Sequence, residues 1–381
     1  MVNKYQQGAV SIFAVIFSTL LLTVLTVSFI GLMISAQQRA INNDLSQSAY
    51  DSALAGVEDA KRVVRACVGG DSTACAALDG AQDCQVIARA GVNGAVGDRE
   101  TRIASNSTSG EEFDQAYTCV NISMDSADYL LEASSGRAYI VPLNATGQVD
   151  KVTIEWYSAK DNNNELMAVA PTLSPVPSDS LPGVDDWDNS APSLIRAQLI
   201  TPGENFSLSS LDDSAASRTL FLRPSSVTTG NTSGTIVVGR NSQLRATSGN
   251  DVYSNSLNQV TCSRNFANNG FACSVTLDLA DEDVISMAAS NNAVLRINSL
   301  YKGANVRVTM QGQDGSRVMF DGVQPIVDST GRASTLFRRV EARLRMGVDF
   351  AYPSYVVDIE NNLCKNFSVD ASSASGSGCN P

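Results

Sequence analysis

The side chains of this sequence that could do acid–base or redox chemistry are carboxylates and cysteines, because its 381 residues include no histidine. The missing imidazole excludes Ser-His-Asp and Cys-His catalysis and any histidine-ligated metal. The densest acidic groups are Asp185-Asp186-Trp187-Asp188 and Asp281-Glu282-Asp283. Neither group has the spaced ligands and the turn glycine of a calcium loop, so we interpret the first as a polar loop and the second as a turn or helix start.

Motifs for phosphate or cofactor chemistry are also missing from the sequence. There is no Walker loop, no glycine-rich dinucleotide loop and no nucleophile elbow. We therefore expect no enzymatic activity, no cofactor and no metal. The chain carries 27 Lys and Arg against 39 Asp and Glu, a net charge of −12. Such a surface repels phosphate backbones, so we expect no nucleic-acid partner, and we interpret the arginines at 338, 339, 343 and 345 as a solvated strand face.

Eight cysteines all follow the first 66 residues: Cys67, Cys75, Cys84, Cys119, Cys262, Cys273, Cys364 and Cys379. An even number in an exported domain indicates disulfides, and the spacing of the first three does not match a zinc knuckle. Cys262 and Cys273 bracket a turn-rich loop between two strand-like runs, so we predict that they bridge a hairpin. The first four cysteines allow three pairings, and the sequence does not choose among them.

An uncharged run extends from Tyr5 to Gln38, and residues 9–35 within it are almost wholly apolar. As a helix those residues span about 40 Å at ~1.5 Å per residue, which exceeds a hydrocarbon core of about 30 Å. The apolar core of a secretory signal peptide has only ~7–15 residues. We therefore predict a transmembrane helix at 9–35 that continues as a helix over 36–66. Lys4 favours a cytoplasmic N-terminus, so the rest of the chain is expected outside the membrane.

The continuing helix presents a face of mainly small side chains. Residues at spacings of three and four fall on one side: Leu45, Ala49, Ala53, Gly56, Ala60 and Val64. Small residues allow another backbone or a sheet to approach closely. We predict that this face is the packing face of the helix.

The N-terminal segment resembles the class III leader of type IV pilins, since Gly8-Ala9 is followed directly by the apolar helix. The resemblance implies that a prepilin peptidase cuts after Gly8, that 1–8 is a leader peptide, and that the mature chain begins at Ala9. Most major pilins carry Glu at the fifth mature position, where this chain has Phe13. That departure matches PilX-type minor pilins and tip-type pseudopilins.

Two further segments carry the resemblance. The alanine-rich stretch 45–60 is similar to the helix that follows the anchor in PilX-type proteins. Residues 326–333 and 337–344 are similar to the closing strands of PilX- and PilV-type minor pilins, in which a short turn with Gly-Arg precedes a strand of alternating basic and apolar side chains. By the same resemblance, a bridge between Cys364 and Cys379 would form the disulfide-bounded loop near the pilin C-terminus, over 364–381.

The rest of the chain indicates an α+β fold, with the long N-terminal helix followed by an antiparallel β-sheet head with long loops. Residues 67–135 have little periodicity, and we predict an irregular, disulfide-rich region that corresponds to the αβ-loop of pilins. A β-rich head is predicted over 136–363, with strand runs alternating at period two. Long polar loops at 159–192 and 203–232 are the expected places for a binding face.

The leading hypothesis is a minor subunit of a type IV pilus or pseudopilus that takes part in filament assembly and in surface adhesion. The resemblance implies other pilin subunits as partners of the helix, together with the prepilin peptidase and the inner-membrane assembly machinery. The chain would be a single-pass protein of the cytoplasmic membrane with its head outside, and part of an extracellular pilus after assembly. The alternative is a non-polymerising, signal-anchored cell-surface binding protein in which Gly8 stays uncut.

Overall fold

A computed structural model describes residues 7–79, 83–91, 100–103, 114–163, 183–187, 191–201, 217–238, 258–279 and 293–345. The helices are α1 (Gln7–Val68), α2 (Ser72–Asp79) and α3 (Val86–Arg89). The strands are β1 (Thr101–Arg102), β2 (Gln115–Ser126), β3 (Tyr129–Ala133), β4 (Ala138–Pro142), β5 (Lys151–Ser158), β6 (Leu194–Ile200), β7 (Ser217–Thr228), β8 (Gly234–Val237), β9 (Asn258–Ser263), β10 (Phe271–Asp278), β11 (Val294–Leu300), β12 (Ala304–Gln311), β13 (Arg317–Val318), β14 (Phe320–Ala333) and β15 (Leu336–Arg343). Short 3₁₀ turns lie at Ala159–Asn162 and Val184–Asp186.

The predicted α+β class is confirmed, and the described residues form two compact units. Unit 1 comprises the residues up to Ser123 and those from Ile326 to Leu344, and unit 2 comprises Met124–Pro325 and Arg345. The chain therefore leaves unit 1 within β2 and returns to it within β14. In chain order, unit 2 is an insertion between two strands of unit 1.

Unit 1 combines α1 with a four-stranded sheet in the order β1-β2-β14-β15. The pair β14–β15 is antiparallel, with Val327 opposite Ala342 and Gly331 opposite Arg338. Alternate residues of β14 are buried against α1, while Asp328 and Thr330 lie on the other face and are only half-buried. This period of two is what a sheet with one covered face requires.

Unit 2 is built on an eleven-stranded sheet with the order β13-β12-β5-β10-β9-β7-β6-β11-β4, to which β3 adds beside β12 and β8 beside β10. Most pairings are antiparallel, but β7–β9 and β8–β10 are parallel, so the expectation of a purely antiparallel head is corrected to a mixed sheet. Ser135, just after β3, bridges Ser299 in β11 near the opposite edge, so the sheet nearly closes into a barrel. Its interior is a hydrophobic core in which Ile154, Trp156 and Phe320 are fully buried.

The sequence prediction differs from the structure in three places. We expected residues 67–135 to be irregular, but they contain α2, α3, β2 and β3. Gly331 and Arg332 lie inside β14, and the turn before β15 is formed by Ser334 and Thr335. The predicted loop 203–232 includes the whole of β7. The predicted C-terminal loop 364–381, with Cys364 and Cys379, lies outside the described residues.

Candidate assembly and binding surfaces

The N-terminal half of α1 is an apolar helix that packs against no other described part of the chain. Every large hydrophobic side chain from Ile12 to Ile34 is exposed, and Phe13 at the fifth mature position is 74% exposed. Gly8 and Ala9 lie in the first turns of the same continuous helix. Among the described residues, α1 is the one helix long and apolar enough to cross a membrane. An apolar surface of this size is rarely left in water, so it requires lipid or other helices around it.

The polar atoms of this apolar stretch are satisfied within the helix. All six hydroxyls between residues 12 and 38 donate hydrogen bonds of 2.8–3.0 Å to carbonyls three or four residues earlier: Ser18, Thr19, Thr23, Thr26, Ser28 and Ser35. An unsatisfied hydroxyl in hydrocarbon costs several kcal/mol, on the order of 2–7. These six described hydroxyls can therefore enter an apolar medium without losing a hydrogen-bond partner.

The C-terminal half of α1 packs against the sheet of unit 1 through the predicted small-residue face. Ala49, Ala53, Gly56, Ala60 and Val64 are all buried, and Leu45, at the start of the face, is half-buried. A Cβ on Gly56 would stand 2.9 Å from Val120 Cγ2 and would overlap Ser329 Oγ. The glycine is thus needed where the helix crosses β2 and β14.

A buried carboxylate on this face was missed by sequence reasoning. Asp59 is only 7% exposed, and the hydroxyl of Tyr117 on β2 donates to Asp59 Oδ2 at 2.7 Å. Arg62, one turn later, donates to Asp59 Oδ1 at 3.1 Å. A buried charge requires such partners, so Asp59 and Tyr117 fix the register between helix and strand. The signal available in the sequence was Asp59 falling on the small-residue stripe, directly before Ala60.

Arginines of β15 form hydrogen bonds within unit 1. Arg338 points towards the helix and donates from Nε to Ser46 Oγ at 2.8 Å, while Arg339, on the opposite face, is paired in a bidentate manner with Asp328. Val340, Ala342 and Leu344 lie on the less exposed side. The contacts of Arg338 and Arg339 are those of an ordinary packed strand.

Arg332 on β14 joins the two segments that precede β1 and β2. Its guanidinium donates to Glu100 Oε2 at 2.9 Å and to Asp114 Oδ2 at 2.8 Å. The hydrogen bond from Arg332 holds the pKa of Asp114 below its ordinary value, and the two carboxylates raise the pKa of the guanidinium. Charge-assisted pairs of this kind are the stronger hydrogen bonds, so Arg332 ties both segments to β14.

Disulfides fix the connection between helix and sheet in unit 1. Cys67 at the end of α1 is bonded to Cys75 in α2, and Cys84 before α3 is bonded to Cys119 in β2. This is one of the three pairings that the sequence left open. In unit 2, Cys262 and Cys273 form the bridge that was predicted across the β9–β10 hairpin.

Five described segments that connect or follow strands of unit 2 lie at one end of the sheet. We call the segments 134–137, 159–163, 229–233, 264–270 and 301–303 the loop face. Strand register places them together, because Ser158 lies opposite Phe271, Thr228 opposite Ser263 and Ala133 opposite Ala304. Parts of the predicted loops 159–192 and 203–232 belong to this face.

Specific hydrogen bonds tie the loop face together. Asn268 exchanges hydrogen bonds with the backbone and the hydroxyl of Thr232, at 2.9 and 3.1 Å. Asp161 accepts from the backbone and the side-chain amide of Asn305, at 3.0 and 2.8 Å. Lys302 donates from Nζ to the hydroxyl of Tyr157 at 2.9 Å. Burial, with the Asp161 carboxylate adding to it, raises the pKa of Tyr157, which keeps its hydroxyl protonated.

The opposite end of unit 2 carries a polar groove of about 510 Å³, between residues 146–150 and 312–318. Asp150 in its wall is buried, and Gln148 donates to it at 3.4 Å.

The acidic cluster at 185–188 is only partly described. Asp185 and Asp186 are exposed in a 3₁₀ turn, whereas Trp187 is buried and stacks on Tyr301 with ring centroids 4.4 Å apart. Asp188 and the cluster at 281–283 lie outside the described residues. Within the described ranges, no three Cys, Asp or Glu side chains are grouped so as to hold a metal ion.

Comparison with known proteins yields no relative: no protein-family model, no curated protein and no solved structure matches the chain significantly.

Proposed function

We propose that the chain is a minor subunit of a type IV pilus or of a related pseudopilus. The observation that carries this proposal is the continuous helix α1, which is wholly exposed and apolar in its first half and packed on a sheet by small residues in its second half. A helix of that kind needs an apolar partner for one half and a folded domain for the other. A filament built from a helical bundle with outward domains meets both needs.

The first step of the proposed pathway is removal of the leader. A prepilin peptidase would cut between Gly8 and Ala9 at the cytoplasmic side, after the apolar helix has inserted with the rest of the chain outside. The mature helix would then leave the bilayer by packing against the helices of other subunits. The described hydroxyls of its apolar half are already bonded to the helix backbone, so they need no new partner on this transfer.

Phe13 favours a minor role over a major one. In the resembling family the fifth mature residue of a major subunit is a glutamate, and here an exposed phenylalanine occupies that position. The large unit 2, inserted in chain order between β2 and β14, also favours a subunit that adds a special domain to a filament rather than one that repeats along its length.

The test is the N-terminus of the mature protein in the producing cell. Intact-mass analysis and N-terminal sequencing should find a chain that begins at Ala9, with or without an N-methyl group. Gly8→Leu should leave the leader attached and exclude the protein from sheared filaments. Gly31→Leu is the matched control for leader processing alone, because a side chain at Gly31 meets nothing within 4 Å and lies far from the cleavage point.

A mature protein that keeps Met1 in cells that build filaments normally would overturn this proposal. That result would leave the non-polymerising, signal-anchored binding protein as the better function. The loop face of unit 2 is the observation that favours this second function, since a rigid set of connected loops serves a binding protein whether or not it polymerises.

A further inference from the structure

The loop face of unit 2 is held in a strained and rigid form. Among the described residues of unit 2, five non-glycine residues have positive φ, and all five lie on or directly beside this face: Tyr157 (65°), Asn163 (54°), Phe266 (52°), Asn269 (51°) and Tyr301 (70°). A left-handed conformation costs a residue other than glycine or asparagine about 1–2 kcal/mol, so the strain lies at Tyr157, Phe266 and Tyr301. Strain that recurs at one end of a sheet, and not at the other described connections, motivates a functional hypothesis for these loops.

Cross-links keep that shape fixed. The hairpin that carries Phe266 and Asn269 is closed by the Cys262–Cys273 disulfide. The ring of Phe266 stacks on Tyr157 at 6.5 Å between centroids, and Asn268 joins the hairpin to Thr232. A surface that is ordered before binding loses little entropy when a ligand arrives.

The groups that the loop face exposes are mostly uncharged. Exposed amides come from Asn163, Asn231, Asn265 and Asn269, and exposed hydroxyls come from Thr229 and Ser233. Arg137 and Lys160 are the two exposed charges within these described segments. This differs from the chain as a whole, which has a net charge of −12. An amide side chain offers a donor and an acceptor side by side, which matches two neighbouring hydroxyls of one ligand.

The same surface is poor in apolar groups. None of the large exposed hydrophobic side chains lies within the loop face, and the closest in sequence is Val237 in β8. Protein interfaces have apolar and aromatic centres, so a protein partner is disfavoured here. Among the basic side chains of these segments, Lys302 is bonded to Tyr157 and Arg264 is half-buried, which leaves Arg137 and Lys160 exposed. The sialylated arm of the experiment below therefore distinguishes an anionic ligand from a neutral one.

We propose that the loop face of unit 2 binds a neutral oligosaccharide through its exposed asparagine amides, with Tyr301 offering the edge of an aromatic ring beside them. Tyr301 is half-buried, is stacked on Trp187 and is held at positive φ at the edge of the face. Hydroxyl-rich, uncharged ligands fit this set of amides, hydroxyls and one aromatic ring. The inference goes beyond the proposed function and concerns unit 2 whether or not the chain enters a filament.

The experiment uses the full chain in detergent on a printed array of neutral hexose oligosaccharides and their sialylated counterparts. The loop-face variant is the double change Asn163→Gly and Asn269→Gly, because glycine accepts the positive φ at both positions while the amides are removed. The matched control is Gln148→Ala with Gln313→Ala, which removes two amides at the opposite end of unit 2. We expect the wild type and the control to bind neutral glycans alike, and the loop-face variant to bind at least about tenfold more weakly.

Asn231→Ala is a second loop-face variant that removes an exposed amide from a position with negative φ, and it should weaken binding in the same direction. The proposal is overturned if no neutral glycan binds, if only sialylated glycans bind, or if the loop-face and control variants lose binding equally. Each of these readings is made on purified protein and is independent of leader processing. Failure of the glycan test therefore does not change the interpretation of the Gly8 experiment or of the filament proposal.

Discussion

Gly331 in β14 lies directly against the backbone of α1 at Ala53. A Cβ placed on Gly331 would overlap the amide nitrogen of Ala53 and the carbonyl oxygen of Ala49, and would stand 2.8 Å from the carbonyl carbon of Ser52. The neighbouring atoms are backbone, so no side-chain rotation can make room. At these two residues the helix and the sheet of unit 1 are in backbone contact.

Replacing Gly331 by alanine should therefore separate β14 from α1. We expect a loss of about 1–3 kcal/mol in the free energy of unfolding of unit 1, the usual cost of overpacking. Hydrogen exchange of the α1 peptides around Ala53, together with thermal unfolding, measures the effect. Gly147→Ala is the matched control, since nothing lies within 4 Å of its added carbon. Equal stability of the two variants would show that the helix does not sit this close to β14.

The hydrogen bond between Tyr117 and Asp59 gives a second prediction. Tyr117→Phe removes the donor but keeps the ring, so that the buried carboxylate loses a partner. We expect a cost of about 1–3 kcal/mol in chemical denaturation. Tyr50→Phe, on an exposed position of the same helix, should change stability by less than about 0.5 kcal/mol. In an Asp59→Asn background the effect of Tyr117→Phe should shrink, and an undiminished effect would contradict the assignment of the bond.

The helix was the part of unit 1 that the sequence predicted well, because a helical pattern can be followed along the whole of α1. Its apolar run exceeds the length of a membrane span, and its small residues recur at spacings of three and four up to Val64. The strand β2 carries no such signal. Ala116 and Tyr117 are adjacent and both buried, which breaks the alternation. Val120 and Ile122 are also buried, on either side of half-buried Asn121. Burial in β2 departs from a period of two, which is why alternation failed to reveal it.

The loop face could not be predicted as a unit, because it is assembled from segments far apart in the chain. Asn268 and Thr232 are 36 residues apart, and Asp161 and Asn305 are 144 residues apart. The sequence indicated loops but not which ends of which strands would meet. That information resides in the strand order, in which β5 lies between β12 and β10 while β7 lies beside β9.

The pairing of Asp114 with Arg332 predicts an acid-dependent loss of stability in unit 1. The folded-state pKa of Asp114 is held below its unfolded value by the guanidinium. The pair therefore contributes its full stability above the unfolded pKa, near 4, and loses it as the pH falls through the lower folded pKa. Thermal unfolding of the wild type between pH 7 and pH 2 should show this decline. Asp114→Asn should remove part of it, whereas a variant with the same acid profile as the wild type would show that the pair does not form.

The two disulfides of unit 1 should differ in their contributions. Cys67–Cys75 closes a separation of 8 residues, and Cys84–Cys119 closes one of 35. Since the unfolded chain loses more entropy when a longer loop is closed, chain-entropy arithmetic gives about 2.5 kcal/mol for the first bond and about 4 kcal/mol for the second. Replacing both cysteines of each pair by serine and measuring unfolding under non-reducing conditions tests the order.

Peptide mapping of the wild type must first recover these two pairs, because cross-linked peptides joining Cys67 to Cys84 would contradict the arrangement of α2 and α3. A larger loss for the Cys67–Cys75 variant, with the pairing intact, would mean that anchoring α2 to the end of α1 matters more to unit 1 than tying α3 to the sheet.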